Sequence, residues 1–167
     1  MKTKFLAFAI CLFTLVSCNQ KVTPPQTETV DNLYSIEVPG TLAVMEDLYP
    51  EADLQYGNTF KQVFVVTAHE AKDKTASFEE FTQKALANYN KRPNYEVIKE
   101  EEVRINGIAG KMYELKMAQG TDLMFMLQVV LNGKKANYQF IGWTQANNQA
   151  VETTNFINTL STFKEIE

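Results

Sequence analysis

The chain reads as an α+β domain, an antiparallel β-sheet of six to seven strands flanked by two helices in an α/β/α sandwich. Three observations predict it. The dipeptides Asn106-Gly107 and Asn132-Gly133 each separate two runs of strand-forming residues, and Asn-Gly readily adopts the positive φ values a tight hairpin needs. Leu123-Met124-Phe125-Met126-Leu127 is apolar at consecutive positions, so both faces of that strand are covered and the sheet carries a layer on each side. Two segments, one mid-chain and one at the end, repeat apolar residues at helical spacing and supply those layers.

The first strand spans residues 33–38, with Tyr34, Ile36 and Val38 on one face and Ser35 and Glu37 on the other. Pro39-Gly40 ends it in a turn. Residues 41–58 carry a weaker pattern, with a short strand at 54–56 closed by Gly57-Asn58. Residues 60–67 (FKQVFVVT) are rich in β-branched and aromatic side chains and form the next strand. A helix follows. Ser77 and Glu80 fit a capping box, and Phe78, Phe81, Ala85, Leu86 and Tyr89 share one stripe. Glu80 and Lys84 form an i,i+4 pair, Lys91 and Arg92 suit the C-terminal end of the dipole, and Pro93 stops the helix. Four strands come next, at 95–105, 108–118, 123–131 and 134–144. The last helix runs over 148–163, capped by Asn147 or Asn148, with Phe156, Ile157, Leu160 and Phe163 as its apolar stripe. The order is β-β-β-α-β-β-β-β-α.

Ahead of the domain lies a targeting pattern. Lys2 and Lys4 precede an apolar run, residues 5–16. Twelve helical residues reach about 18 Å, against a hydrocarbon core of about 30 Å, so the run reads as a cleaved signal and not as a span. It ends in Leu15-Val16-Ser17-Cys18, which resembles the lipobox of bacterial lipoproteins. That resemblance implies a signal peptide over 1–17, a diacylglycerol on the Cys18 thiol, and cleavage that leaves Cys18 as the lipidated first residue, the protein's link to the membrane. Asn19 follows in place of the Asp that retains many lipoproteins at the inner membrane, which favours the outer membrane with the domain facing the periplasm. Residues 18–32, polar with Pro24-Pro25 at their centre, cannot bury enough apolar area to offset ordering and read as a flexible tether. Residues 33–167 form the single domain.

Charge and cysteine content bound the function. Removing residues 1–17 takes the net charge from −4 to −6. An acidic domain with no basic stripe argues against nucleic acid and against electrostatic binding of anionic headgroups. Cys11 leaves with the signal and Cys18 is committed to the anchor, so the mature domain has neither thiol nor disulfide and depends on a full hydrophobic core.

The opening Tyr34-Ser35-Ile36-Glu37-Val38-Pro39, the central Val103-Arg104-Ile105-Asn106-Gly107-Ile108-Ala109-Gly110 and the closing Phe156-Ile157-Asn158-Thr159-Leu160-Ser161-Thr162-Phe163 resemble the PsbP-like family. These blocks bracket nearly all of residues 33–167. One departure is clear: many members carry an aromatic just after the Pro turn, where this chain has Gly40-Thr41-Leu42. The family includes a photosystem extrinsic subunit, a Ran-binding import factor and bacterial envelope lipoproteins. The resemblance implies an accessory or binding protein, with no shared catalytic residues to carry over.

The residues themselves offer four candidate sites. His69, the only histidine, follows a strand beside Glu70 and reads as a solvated loop residue, since one histidine without cysteine cannot build a zinc site and no G-x-S-x-G elbow occurs. Glu100-Glu101-Glu102 alternate across a strand, so only two carboxylates converge. With Lys99 and Arg104 nearby they read as a charged strand end that discourages edge pairing. Met112, Met117, Met124 and Met126 lie on two neighbouring strands. Thioethers pack irregular cores, form adaptable binding surfaces or bind Cu(I); core packing is the main reading and an apolar groove the functional one. Trp143 lies on the face opposite Tyr138 and Phe140, either packed under a helix or serving as an interface anchor.

These readings converge on a lipid-tethered, non-catalytic binding or assembly module of the cell envelope, with a protein partner, no cofactor and no metal. The alternative is a carrier of a small apolar ligand in a groove between helix and sheet, lined by Met112, Met117, Met124, Met126 and Trp143. An enzyme relying on His69 and carboxylates comes third.

Overall fold

The computed structural model describes residues 23–74 and 77–167. The expected signal peptide, Cys18 and the first part of the expected tether lie outside the described residues. The strands are β1 (Gln26–Val30), β2 (Tyr34–Val38), β3 (Ala43–Val44), β4 (Leu54–Asn58), β5 (Val63–Ala71), β6 (Glu96–Ile105), β7 (Ile108–Gln119), β8 (Asp122–Asn132), β9 (Ala136–Gln145) and β10 (Lys164–Glu165), with helices α1 (Phe78–Ala87) and α2 (Gln149–Leu160). Seven strands form one sheet in the order β3-β4-β5-β9-β8-β7-β6, and a smaller sheet holds β1-β2-β10. The four-strand meander β6–β9 folds back so that β9 pairs antiparallel with β5. The fold is α+β, as the hairpin and helix signals predict. No helix among the described residues is long and apolar enough to cross a membrane.

Hairpin chemistry sets the meander. Asn106 and Gly107 take φ of 47° and 89°, closing β6 onto β7 with Ile105 opposite Ile108. Asn106 does more than turn the chain. Its Nδ2 donates to the carbonyls of Ser161 (2.8 Å) and Phe163 (2.7 Å), occupying carbonyls that the end of α2 leaves free. Asn132-Gly133 opens a wider loop, because Asn132 pairs with Asn137.

Several elements differ from expectation. The polar segment 18–32 is not wholly a tether: Gln26–Val30 is β1, paired residue for residue with β2 from Gln26 opposite Val38 to Val30 opposite Tyr34. Thr27 and Thr29 are exposed, Glu28 accepts the Tyr56 hydroxyl at 2.8 Å, and Val30 reaches the core while the backbone completes a sheet edge. The strand expected at 60–67 begins at Val63 and continues to Ala71, because residues 59–62 form the β4–β5 turn, with Gln62 at φ 53°. Ser77 caps α1 by accepting the Glu80 N–H at 3.1 Å. Asn148 does not cap α2 with its side chain; a 3-10 turn over Ala146–Asn148 leads into the helix instead.

Strand parity divides the core between the two faces of the large sheet. On one face Phe125, Leu127, Val129, Leu131, Tyr138 and Phe140 pack against α2 and the small sheet. Gly142 permits this, since a Cβ there would lie 2.6 Å from the Phe156 ring. On the other face Val66, Leu115, Val130 and Ile141 pack against Phe81 and Ala85 of α1.

The two sheets meet at Tyr34. Its ring is fully buried, stacked on Phe163 (centroids 4.9 Å apart) and edge-on to Tyr138 (5.4 Å). Burial raises the Tyr34 hydroxyl well above its ordinary pKa, so it stays protonated; it donates to Asp53 Oδ2 (2.9 Å) and accepts from Thr67 (2.6 Å). His69 completes the cluster, its Nδ1 2.9 Å from both carboxylate oxygens of Asp53. The expected loop histidine is therefore a strand residue of β5 with a carboxylate partner. Nearby, the Glu165 carboxylate accepts the N–H groups of Lys134 (2.9 Å) and Lys135 (2.7 Å) and the hydroxyl of Tyr138 (2.8 Å). Burial works against its charge, but these donors outweigh it and hold the carboxyl below its ordinary value.

Two outcomes follow from this joint. Tyr34→Phe keeps the ring but leaves Asp53 and Thr67 short of a partner, so urea denaturation should show a loss of about 1–3 kcal/mol; unchanged stability would mean the hydroxyl does not fasten the sheets. Because the folded pKa of Glu165 is depressed, its contribution is complete above its ordinary value of 4.5 and is lost as pH falls through the lower folded value. Glu165→Gln should be less stable than wild type at pH 6, and the gap should narrow as pH drops below that ordinary value. A gap that stays constant with pH would remove the carboxylate from the account.

Candidate functional site

The two faces of the large sheet are not covered alike. α1 has ten residues, about 15 Å of helix, while β7 to β9 run ten to twelve residues, about 33–40 Å. The helix runs from the Asn106-Gly107 end, where Glu79 meets Lys111 (3.1 Å), toward the Gly120 turn. It stops short, and the last part of this face is covered by loops.

A groove forms there. Its floor comes from the ends of three strands: Met117 lies opposite Met124, and Met126 opposite Trp143. Trp143 stacks on Phe64 with centroids 5.2 Å apart. One wall is Leu48-Tyr49-Pro50, the other Asn88, Tyr89 and Arg92 just past α1. The half-open volume is about 260 Å3. Each wall is pinned. Gln55 Oε1 accepts the N–H groups of Leu48 (2.7 Å) and Tyr49 (3.0 Å), and the Ala118 N–H bonds the Pro93 carbonyl at 2.8 Å. Asn88 Nδ2 reaches the Tyr49 hydroxyl at 3.2 Å and ties the walls together. Burial, then the Glu51 charge, raises the Tyr49 phenol above its ordinary value, so the rim offers neutral phenol, amide and guanidinium groups around an apolar floor.

Four of the five residues expected to line a groove therefore come together. Met112 does not. It is an odd number of residues from Met117 on β7 and so points to the opposite face, into the core with α2. The wall residues were not read from the sequence; the apolar Leu48-Tyr49-Pro50 inside a weakly patterned segment was the available signal.

The other candidates separate. Glu70 is on the α1 side of the sheet, bound by Lys84 (2.6 Å), so it and His69 face opposite ways and cannot act together. Glu101 pairs with Lys99 at 2.8 Å on the edge strand β6, and Arg104 donates to the Gly107 carbonyl at 2.8 Å. Among the described residues no group of three or more His, Cys, Asp or Glu side chains is placed to hold a metal ion. The absence of a basic stripe in sequence hides a spatial grouping: Arg104, Lys134, Lys135 and Lys164 border an open cleft at the Asn106-Gly107 end, interspersed with Glu165 and Glu167. Beneath α1, Gln128 is wholly buried and donates to Gln139 Oε1 at 3.2 Å, a polar pair inside the smaller core.

No protein-family model matches the chain, and no curated protein matches it in sequence. Solved structures match it in fold. The cyanobacterial PsbP (CyanoP) from Synechocystis sp. superposes with a TM-score of 0.64 at 15% identity, covering 90% of this chain and 98% of that one. LpqN of Mycobacterium tuberculosis, described as involved in cell envelope biogenesis, gives 0.60 at 9% identity, covering 86% of each chain. The Saccharomyces cerevisiae Ran-binding protein Mog1p gives 0.58 at 8% identity, covering 86% of this chain and 96% of the other. At these identities the likeness is one of fold: the chain has the PsbP-like architecture.

Proposed function

We propose that the protein is a non-catalytic binding module of the cell envelope, anchored through lipidated Cys18, whose ligand surface is the groove floored by Met117, Met124, Met126 and Trp143. The carrying observation is the pairing of Met117 with Met124 and of Met126 with Trp143 on a half-open floor between two pinned walls. Methionines adapt to varied apolar shapes, and a rim with Tyr49, Asn88, Arg92 and Gln119 supplies hydrogen bonds around them, the arrangement of an interface core with a polar border. The fold likeness to LpqN and to a Ran-binding protein supports the class of function, and the lipobox supports the location.

The second reading, a carrier of a small apolar ligand, uses the same groove. Pockets that enclose small molecules run about 300–1,000 Å3. A half-open 260 Å3 suits one inserted side chain of a protein better than a whole enclosed molecule.

The test is photo-crosslinking in intact cells, using the full lipidated chain with a photoreactive residue at Gln119 on the rim and, as control, at Lys164 on the far end. A discrete protein adduct from the rim and none from the control is expected. Trp143→Ala, its fold checked by circular dichroism, should weaken binding of the identified partner by about thirtyfold, a typical hot-spot loss. Equal adducts from both positions would sink the groove as the binding surface. Co-purified lipid with no protein adduct would favour the carrier.

A further inference from the structure

We propose that the end of the domain bearing the β4–β5 turn is a lipid-contact face, with Phe60 inserted at the bilayer interface; this rests on the lipid anchor at Cys18 proposed above. Phe60 is 99% exposed. Single exposed apolar residues are ordinary, but this one sits on a fixed tip. Asn58 donates to the Thr41 carbonyl (3.0 Å) and accepts from the Lys61 N–H (3.0 Å), and Gln62 donates to the Thr59 carbonyl (2.6 Å). The turn is held while its phenylalanine projects into solvent.

The second observation is where the chain enters. The backbone carbonyls of Thr23 and Pro24 lie so close over Gly40 that a Cβ there would collide with both. Gly40 precedes Thr41, the residue that Asn58 grips, so the entering chain and the Phe60 tip share one end of the molecule. From Cys18 to Thr23 is five residues, which reach at most about 18 Å. The strands of the large sheet are about 33–40 Å long. A leash that short cannot let the domain turn over, so the Gly40 end faces the bilayer. Val44 and Leu123 are exposed at the same end. Aromatic rings settle at the headgroup level of a membrane, and a second contact beside an acyl anchor strengthens attachment.

The test uses the full chain, lipidated, in liposomes of phosphatidylethanolamine and phosphatidylglycerol, with acylation of Cys18 verified by mass spectrometry. An environment-sensitive fluorophore is attached at Thr59→Cys, or at Lys134→Cys on the opposite end. Dibrominated lipid should quench the label at 59 and not the label at 134, and in Phe60→Ser the quenching at 59 should fall to the level at 134. Equal quenching at both sites, or quenching at 59 indifferent to Phe60→Ser, would overturn the proposal. So would shielding of the label at 59 from aqueous iodide without lipid quenching, which would assign the tip to a protein contact. An unacylated Cys18 would instead overturn the anchor, and the mass spectrum reports that independently of the fluorescence.

Discussion

The architecture depends on burying one tyrosine. Tyr34 is the point at which a narrow three-stranded sheet and a seven-stranded sheet share a core, and its ring contacts both Tyr138 of β9 and Phe163 beyond α2. A ring buried this deeply needs partners for its hydroxyl. The partners are Asp53, just before β4, and Thr67 of β5. Satisfying one phenol thus fixes the start of β4, and the Asp53 N–H bonds the Thr67 carbonyl at 2.8 Å. The loop ahead of Asp53 carries Leu48, Tyr49 and Pro50. The wall of the groove on the far face is therefore set by the polar requirement of a ring in the core of the near face.

The contrast between the faces has a simple cause. One receives α2, the small sheet and the chain after α2, which cover most of it and leave a half-open cleft of about 330 Å3 beside Leu42, Val63, Val65 and Phe156. The other receives a ten-residue helix and must finish with loops. Loops carry their own backbone groups, which need partners, so they sit on specific ones, the Gln55 Oε1 acceptor for Leu48 and Tyr49 and the Ala118 N–H donor for the Pro93 carbonyl, and leave a gap between them. Methionines fill the floor of that gap because their side chains tolerate irregular neighbours.

The parts legible in the sequence were those governed by local rules. Asn106-Gly107 announced its hairpin, Ser77 its cap and Leu123 to Leu127 a doubly covered strand, since each follows from the φ, hydrogen bonding or burial of a few adjacent residues. What was missed depends on distant partners. The sequence QTETV of β1 has no apolar alternation; it is a strand because β2 offers it an edge. Lys164–Glu165 is a strand for the same reason. His69 read as a solvated residue because nothing near it in sequence predicts Asp53 beside its ring. Of the groove, the strand residues were legible and the walls were not, and the separation of Met112 from Met117 was already implicit in their odd spacing.

The ordering of β1 changes what an anchor at Cys18 can do. A tether reaching Asn32 would average roughly 20 Å as a coil and let the domain tumble beneath its lipid. With Gln26–Val30 paired and Thr23 and Pro24 packed on Gly40, the span from Cys18 is five residues in place of fourteen and enters at a fixed end. The groove lies at that same end, since Met124, Trp143 and Gln119 flank the Gly120 turn. An anchored domain would then present the groove close to the bilayer and hold the cationic cleft of Arg104, Lys134, Lys135 and Lys164 away from it. Partners of the groove on a domain anchored in this way would be restricted to molecules that themselves approach the membrane surface, a selection made by the short connection before any side chain touches them.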